Sequence, residues 1–127
     1  MASKPIAPLK KKLDTVFSRY IRARDKHICF TCDRVMEPKS SQCGHFVPRQ
    51  YLLTRWDERN CNAQCYACNM LYNGQPSSYA LRLISKHGKD IVEKLERNRH
   101  IPVKLDWRWY EERIDYYTKM MSNYQNW

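Results

Sequence analysis

Two cysteine pairs in the middle of the chain constrain its fold more than any other feature. Cys29 and Cys32 form one C-x₂-C pair, and Cys65 and Cys68 form a second. A two-residue gap lets both thiolates of a pair reach one tetrahedral ion, and two pairs complete its coordination shell. Soft thiolates favour zinc, which brings no redox chemistry. The sequence therefore predicts one structural Zn²⁺ bound by these four cysteines.

The two remaining cysteines, Cys43 and Cys61, lie between the pairs. An alternative zinc site would use Cys43 and His45 in place of one pair, although the Cys-x-His spacing is a poorer chelate. Unpaired cysteines more often serve as small buried apolar side chains. A secreted disulfide framework is disfavoured because residues 1–9 lack the apolar core of a signal peptide.

The charge balance points to a polyanionic partner. The 127-residue chain has 23 Lys and Arg against 13 Asp and Glu, a net charge of +10. Such an excess attracts nucleic acid above all other partners. No segment approaches the roughly 18 consecutive apolar residues of a membrane helix. We therefore expect a cytoplasmic nucleic-acid-binding protein with neither a membrane partner nor a small-molecule substrate.

Residues 9–27 are predicted to form a basic amphipathic helix. Apolar side chains recur every three or four residues at Leu9, Leu13, Val16, Phe17, Tyr20 and Ile21. Charged helix faces are often simply solvated, but the excess of bases here also suits phosphate contacts. The phosphate-contact candidates are Lys10, Lys11, Lys12, Arg19, Arg22 and Arg24 on this helix, with Arg49 and Arg55 further along the chain.

The rest of the chain reads as loops followed by helices. Residues 28–64 show no helical period and contain many turn-forming residues, which predicts hairpins and loops. Further helices are predicted at 68–72, from Pro76 to His87 with Gly88 as the stop, at 89–98, and after Asp106 as N-cap. The last helix carries an aromatic stripe, which fits either the core or a dimer surface.

These predictions define an α+β, mostly helical chain with a single folded domain. The expected parts are a flexible tail (1–8) and one domain (9–127), made of the basic helix (9–27), a zinc-binding core (28–74) and a helical C-terminal region (75–127).

A recognisable motif lies between and behind the cysteine pairs. Gly44-His45-Phe46-Val47-Pro48 is followed by Asn60, and Asn69 comes directly after Cys68. This pattern resembles the HNH (ββα-metal) nucleases. In those enzymes a His followed by an apolar residue and Pro lies on a hairpin, an Asn follows, and a His or Asn opens the helix behind the zinc ligands. The resemblance implies a zinc-anchored, treble-clef-like core.

With its flanks included, the chain resembles the lambdoid phage NinG (Rap) recombination proteins over roughly residues 9–98. The segments that carry the likeness are Leu13-Asp14, Phe17 to Arg22, Cys43-Gly44-His45, Arg55 to Asn60 and Gln64 to Asn69. That family implies a phage- or prophage-encoded endonuclease that cleaves branched DNA such as Holliday junctions in a bacterial host. Phage endonuclease VII, with Asn directly after its last cysteine, is similar in role.

The resemblance also implies roles for three residues. His45 would be the general base, Asn69 a ligand of catalytic Mg²⁺ or Mn²⁺, and Asn60 the support of the hairpin. Phosphodiester cleavage needs a base that activates water and a cation that stabilises developing charge. A His titrates near neutral pH, and Mg²⁺ binds through one or two protein oxygens and several waters. Symmetric cleavage of a four-way junction makes a two-fold homodimer the economical assembly.

One departure from the HNH pattern leaves a ligand open. Many of these nucleases carry a metal-binding Asp at or near the position before the His, where this chain has Gln42-Cys43-Gly44. Asp57 or Glu58 could supply the missing carboxylate, or could instead pair with neighbouring arginines. The alternative function is a non-catalytic zinc protein that binds nucleic acid and retains a decayed HNH motif.

Overall fold

The computed structural model describes residues 3–124 and consists mostly of helices around a two-stranded sheet. The helices are α1 (Ile6–Arg24), α2 (Leu52–Arg55), α3 (Pro76–His87), α4 (Ile91–Arg99) and α5 (Trp107–Met121), and the strands are β1 (Gln42–His45) and β2 (Cys61–Gln64). Short 3₁₀ turns occur at Pro38–Ser40 and Ser122–Tyr124, and a single π-helical turn at Ala67–Leu71. Within the described residues, no helix is both long and apolar enough to cross a membrane.

Helix α1 begins earlier than its sequence pattern predicts. It starts at Ile6, so the end of the segment expected to be a flexible tail is helical. Pro8 lies in the first turn, where a missing N–H removes no hydrogen bond of the helix. Residues 1–2 lie outside the described part of the chain. The helix stops before Lys26 and His27, which both have a left-handed φ of 55° and turn the chain toward the first cysteine pair.

The aromatic stripe of α5 packs on α1 and forms the largest part of the core. Tyr110, Ile114 and Tyr117 are buried in one cluster with apolar residues of α1. The rings of Phe17 and Tyr117 meet edge to face, with their centroids 5.0 Å apart. The stripe is therefore core and not a dimer surface. The N-cap prediction is confirmed, because the Asp106 carboxylate accepts a hydrogen bond from the Trp109 N–H at 3.0 Å.

Strands β1 and β2 pair antiparallel and are joined by a long connection. Gln42 lies opposite Gln64, and His45 lies opposite Cys61. The connection contains α2, which the sequence pattern did not predict, since four residues are too few to show a helical period. The sheet lies against α1, and α3 and α4 cover a second small core.

Helix α3 ties this second core to the strands. Its bounds are confirmed: Pro76 is its first residue, and Gly88 ends it with a φ of 98°. The Tyr79 hydroxyl donates to the Gly44 carbonyl at 2.7 Å and accepts from Asn62 Nδ2 at 3.2 Å. Tyr79 is buried, so it holds α3 to both strands directly beside His45.

Candidate functional site

The four cysteines grouped by spacing lie together in the structure. The sulfurs of Cys29, Cys32, Cys65 and Cys68 all lie within 4.8 Å of one another, and Cys32 and Cys65 are 3.8 Å apart. Sulfurs at these separations fit the tetrahedral shell of one ion. Three of the four cysteines are buried, and Cys32 is exposed. The cluster could therefore bind a metal ion such as zinc.

Backbone hydrogen bonds bring the two pairs to the same end of the sheet. The Phe30 N–H donates to the Ala63 carbonyl at 2.8 Å, which fastens the first pair to β2. The second pair follows β2 directly, and the Cys68 N–H points at the Cys65 sulfur at 3.4 Å. The long segment between the pairs therefore leaves the site and returns to it.

Two thiols of this cluster have shifted pKa values, in opposite directions. Burial alone would raise the pKa of Cys29, but hydrogen bonds from the Thr31 hydroxyl and from backbone N–H groups lower it to about 6. At Cys68, burial and the neighbouring sulfurs raise the pKa to about 12. Four thiolates at these distances repel one another unless a cation compensates them. A divalent ion supplies that compensation.

His45 and Asn69, both predicted site residues, line one open cavity of about 620 Å³. His45 comes from β1, and Asn69 comes from the π-helical turn behind the second cysteine pair. Asp14 reaches the cavity from α1, and Arg49 lies on its wall. Residues distant in sequence thus converge beside the cysteine cluster.

The imidazole of His45 has a defined tautomer. Its Nε2 lies 2.9 Å from the Arg55 carbonyl oxygen, which can only accept a hydrogen bond. Nε2 therefore carries the hydrogen, and Nδ1 keeps the lone pair. Burial lowers the pKa of His45, the bond to Arg55 opposes the shift, and the charge of Arg49 adds to it. At neutral pH this side chain is an uncharged base.

Asn60 supports the strand that carries His45. Its Oδ1 accepts from the Val47 N–H at 2.7 Å. Its Nδ2 donates to the carbonyls of Val47 at 3.0 Å and Thr54 at 3.1 Å. The side chain is completely buried. These bonds hold the chain after β1 to α2, the hairpin contact implied for this residue.

The motif suggested that Asn69 lies at the N-terminus of a helix, but the structure places it within a helical turn. It is the third residue of the π-helical turn, and its N–H bonds the Cys65 carbonyl at 2.9 Å. The side-chain Nδ2 donates to Gln42 Oε1 at 2.8 Å, so Oδ1 is the atom that can bind a metal. Single π turns often occur at functional sites, because the wider turn redirects side chains.

Asp14 is the residue of this site that sequence reasoning missed. Its Oδ1 accepts from Arg55 Nε at 3.1 Å and from Trp56 Nε1 at 3.0 Å. Its Oδ2 accepts from Arg55 Nη2 at 2.5 Å and from Arg49 Nη2 at 3.1 Å. Asp14 thereby anchors Arg55, whose carbonyl holds His45. A carboxylate on a strongly basic helix was the signal that could have identified it.

Asp57 and Glu58, the two acids considered as metal ligands, lie elsewhere. Asp57 forms an ion pair with Arg59 at 3.1 Å. Glu58 accepts a hydrogen bond from the Tyr117 hydroxyl at 3.0 Å. Neither lines the cavity of His45 and Asn69. The structure thus places both acids away from His45 and Asn69, and the pairing of Asp57 with Arg59 matches the alternative considered for it.

Gln64 occupies the space that a side chain at position 44, directly before His45, would need. A Cβ added to Gly44 would lie 1.8 Å from Gln64 Oε1 and 2.6 Å from Gln64 Cδ. Gln64 is completely buried, and its Nε2 donates to Thr31 Oγ1 and to the Gly74 carbonyl, each at 3.0 Å. A side chain at position 44 would have to displace this buried amide.

The structure divides the phosphate-contact candidates into two groups. Arg24 donates hydrogen bonds to the carbonyls of Glu58 and Cys61 and forms an ion pair with Asp25. Arg22 donates to the carbonyls of Pro38 and Ser41. Arg55 is buried against Asp14. These three guanidinium groups serve the fold. The remaining candidates are the half-buried Lys10 and the exposed Lys11, Lys12, Arg19 and Arg49.

The fold and site define a basic α+β protein in which a four-cysteine cluster anchors a helical turn and a strand that face one cavity. A family model described as Bacteriophage Lambda NinG protein matches residues 1–126, and the chain belongs to this family. No solved structure matches the chain.

The curated relatives are longer proteins. Protein ninG of Escherichia phage 933W and that of Escherichia phage lambda are each 28% identical over 102 residues, covering 79% of this chain and 50% of the relative. Protein ninG of Salmonella phage P22 is 29% identical over 98 residues, covering 76% and 48%. The chain thus spans about half the length of the curated relatives it matches.

Proposed function

We propose that this protein is a metal-dependent endonuclease of the HNH (ββα-metal) type that cuts branched DNA, such as Holliday junctions, during phage recombination in a bacterial host. One observation carries the proposal: His45 and Asn69 share a cavity beside a four-cysteine cluster. Membership of a phage family and the net charge of +10 agree with a DNA substrate.

His45 is the general base of the proposed reaction. Its Nδ1 lone pair takes a proton from the water that attacks phosphorus. The resulting imidazolium is stabilised by the Arg55 carbonyl, which accepts from Nε2. Asp14 contributes indirectly, since it holds Arg55 through two hydrogen bonds. Asp14 is thus a positioning residue.

The Asn69 side chain could hold a hard divalent cation in the cavity. Oxygen ligands suit Mg²⁺ or Mn²⁺, and Mg²⁺ commonly keeps several waters besides one or two protein oxygens. The Asn69 amide oxygen is the protein ligand we assign, with phosphate and water oxygens completing the shell. When bound, the metal would stabilise negative charge on the scissile phosphate.

The DNA would lie across the exposed bases of α1 and the mouth of the cavity. Arg49 has a side chain 63% exposed and lines the cavity. The same helix that brings Asp14 to the site carries Lys11, Lys12 and Arg19 on its exposed surface. Backbone contacts of this kind select the shape of a branch and not a base sequence. Two symmetric cuts call for a homodimer.

A synthetic four-way junction tests this function directly. The wild type, His45→Ala and the control His100→Ala are incubated with the junction, with and without Mg²⁺ or Mn²⁺. His100 is exposed and does not line the cavity. We expect metal-dependent cleavage by the wild type and the control, and binding without cleavage by His45→Ala.

A non-catalytic nucleic-acid-binding protein is the second candidate. The lining of the cavity favours this candidate. Among the described residues that line the cavity, Asp14 is the sole carboxylate, and its oxygens accept hydrogen bonds from Arg49 and Arg55. Wild-type protein that binds junctions but cuts none with any divalent ion would establish this candidate and overturn the nuclease.

A further inference from the structure

A second cluster of metal-binding side chains lies on the face of the sheet that meets α1. Cys43 and His45 are two residues apart on β1, so they share one face, and Cys61 lies opposite His45 on β2. One ligand atom from each of these three residues lies within 4.8 Å of the other two. None of them belongs to the cluster of Cys29, Cys32, Cys65 and Cys68, so that cluster stays complete.

An ion can reach this second cluster from the candidate active site. Cys43 and His45 line the cavity of about 620 Å³, while Cys61 is completely buried behind them. With two of its three ligands on the cavity wall, the cluster leaves a fourth position open to water, the arrangement of open zinc sites. The structure therefore provides both the ligands and an entry path.

The chemistry of the ligands selects a soft or borderline ion. Two thiolates and an imidazole suit Zn²⁺ or Cd²⁺, whereas Mg²⁺ prefers oxygen. Without an ion, the Cys61 thiol and His45 Nε2 both donate to the Arg55 carbonyl, at 3.4 Å and 2.9 Å. Binding would release one proton from each of the two thiols, so an ion of charge +2 leaves the cluster neutral.

We propose that Cys43, His45 and Cys61 form a second metal site, which takes a thiophilic divalent ion such as Zn²⁺ and thereby occupies the imidazole of His45. The ion engages the side chain that must act as base. Excess zinc therefore inhibits cleavage while Mg²⁺ supports it, a consequence that rests on the proposed function. The binding itself does not depend on that function.

Zinc counting tests the site without any nuclease assay. The protein is purified with a non-thiol reductant, titrated with Zn²⁺, and analysed for bound zinc and for thiols that react with a thiol reagent. We expect two zinc ions per wild-type chain, with all six cysteines protected. Cys43→Ser should bind the first ion normally and the second at least about 100-fold more weakly, since loss of even a supporting partner costs about 10–100-fold.

Cys61→Ala provides an independent variant, and His100→Ala is the matched control for His45→Ala. Removal of Cys61 or His45 should also abolish the second zinc, whereas the His100 variant should keep it. Because Cys61 is buried, its substitution could prevent folding. In that case Cys43→Ser, at a half-buried position, still decides the test. A chain that binds one zinc at every concentration, or a second zinc that survives these substitutions, overturns the site.

A cleavage arm separates this site from the proposed function. If junctions are cut, the zinc concentration for half inhibition should rise at least about ten-fold in Cys43→Ser relative to wild type, each measured against its own uninhibited rate. An unchanged value would overturn the inhibitory role. If no junction is cut, the nuclease fails, while the zinc counts still decide the metal site.

Discussion

At the scale of single residues, Gly44 shows how a local packing constraint changes a motif. A side chain directly before His45 is disfavoured because the buried Gln64 amide occupies the space of a Cβ on Gly44. The sequence shows the Gly, but it does not show what presses against it, since Gln64 is twenty residues away. The glycine at position 44 is therefore a packing requirement of this fold.

Substitution of Gly44 should destabilise the fold through Gln64. We expect Gly44→Ala to lower the free energy of unfolding by about 1–3 kcal/mol, the usual cost of overpacking. Urea denaturation of the zinc-loaded protein measures the change. In a Gln64→Ala background the same substitution should cost less, because the clashing amide is gone. Equal costs in the two backgrounds would show that Gln64 is not the cause.

The protonation of His45 is a second prediction at this scale. Burial lowers the pKa of His45, so its NMR titration midpoint should lie below the ordinary value of about 6.5. Because the folded pKa is below the unfolded one, the neutral imidazole contributes stability above pH 6.5 that is lost as the pH falls through the folded pKa. A midpoint at or above 6.5 would contradict this environment.

Asp14→Asn extends the same prediction. The negative charge of Asp14 raises the pKa of His45, so its removal should move the NMR midpoint to still lower pH. The substitution also weakens the hold on Arg55, so we expect slower junction cleavage by the variant at saturating DNA. Asp115, which is exposed on α5 and paired with Lys119, gives a control: Asp115→Asn should leave both quantities unchanged.

At the scale of elements, the sequence predicts best where periodicity or spacing fixes the answer. Helices α3 and α5 follow from apolar periodicity with Pro76, Gly88 and Asp106 at their ends. The grouping of Cys29, Cys32, Cys65 and Cys68 at one site follows from their spacing in the sequence. Helix α2 is too short to show a period, and it lies close to His45. The helix predicted at 68–72 is found at Ala67–Leu71, but as a single π turn that carries Asn69. The sequence thus predicts one of these two elements, without its π geometry.

Metal removal should affect these elements unequally. A metal bound by the four cysteines would tie the first cysteine pair to the π-helical turn, in addition to the hydrogen bond from Phe30 to β2. Helices α1 and α5 are held by their own aromatic core. Chelation should therefore abolish hydrogen-exchange protection at the Phe30 and Asn69 amides and leave α5 protected at Tyr117. Uniform loss of protection would show instead that the metal supports the entire fold.

At the scale of the whole molecule, the net charge overstates the number of bases that are free to bind a polyanion. Composition counts every base equally, but Arg22, Arg24 and Arg55 bind carbonyls and carboxylates inside the protein. The sequence does not separate them from the exposed bases, because Arg22 and Arg24 lie on the same helix as Lys11, Lys12 and Arg19. The positive field outside the protein comes mainly from the remaining, solvated lysines and arginines.

The salt dependence of junction binding tests this division. Each phosphate contact contributes about 0.9 to the slope of log K against log salt on duplex DNA. Combined Lys11→Ala, Lys12→Ala and Arg19→Ala should reduce the slope by up to that amount per residue and weaken binding to all branched substrates alike. The control is Lys104→Ala, an exposed base before α5. An unchanged slope in the triple variant, or an equal loss per residue in the control, would place the DNA surface elsewhere. A slope that falls only in the triple variant would show that the helix supplying Asp14 to the cavity also binds the DNA backbone.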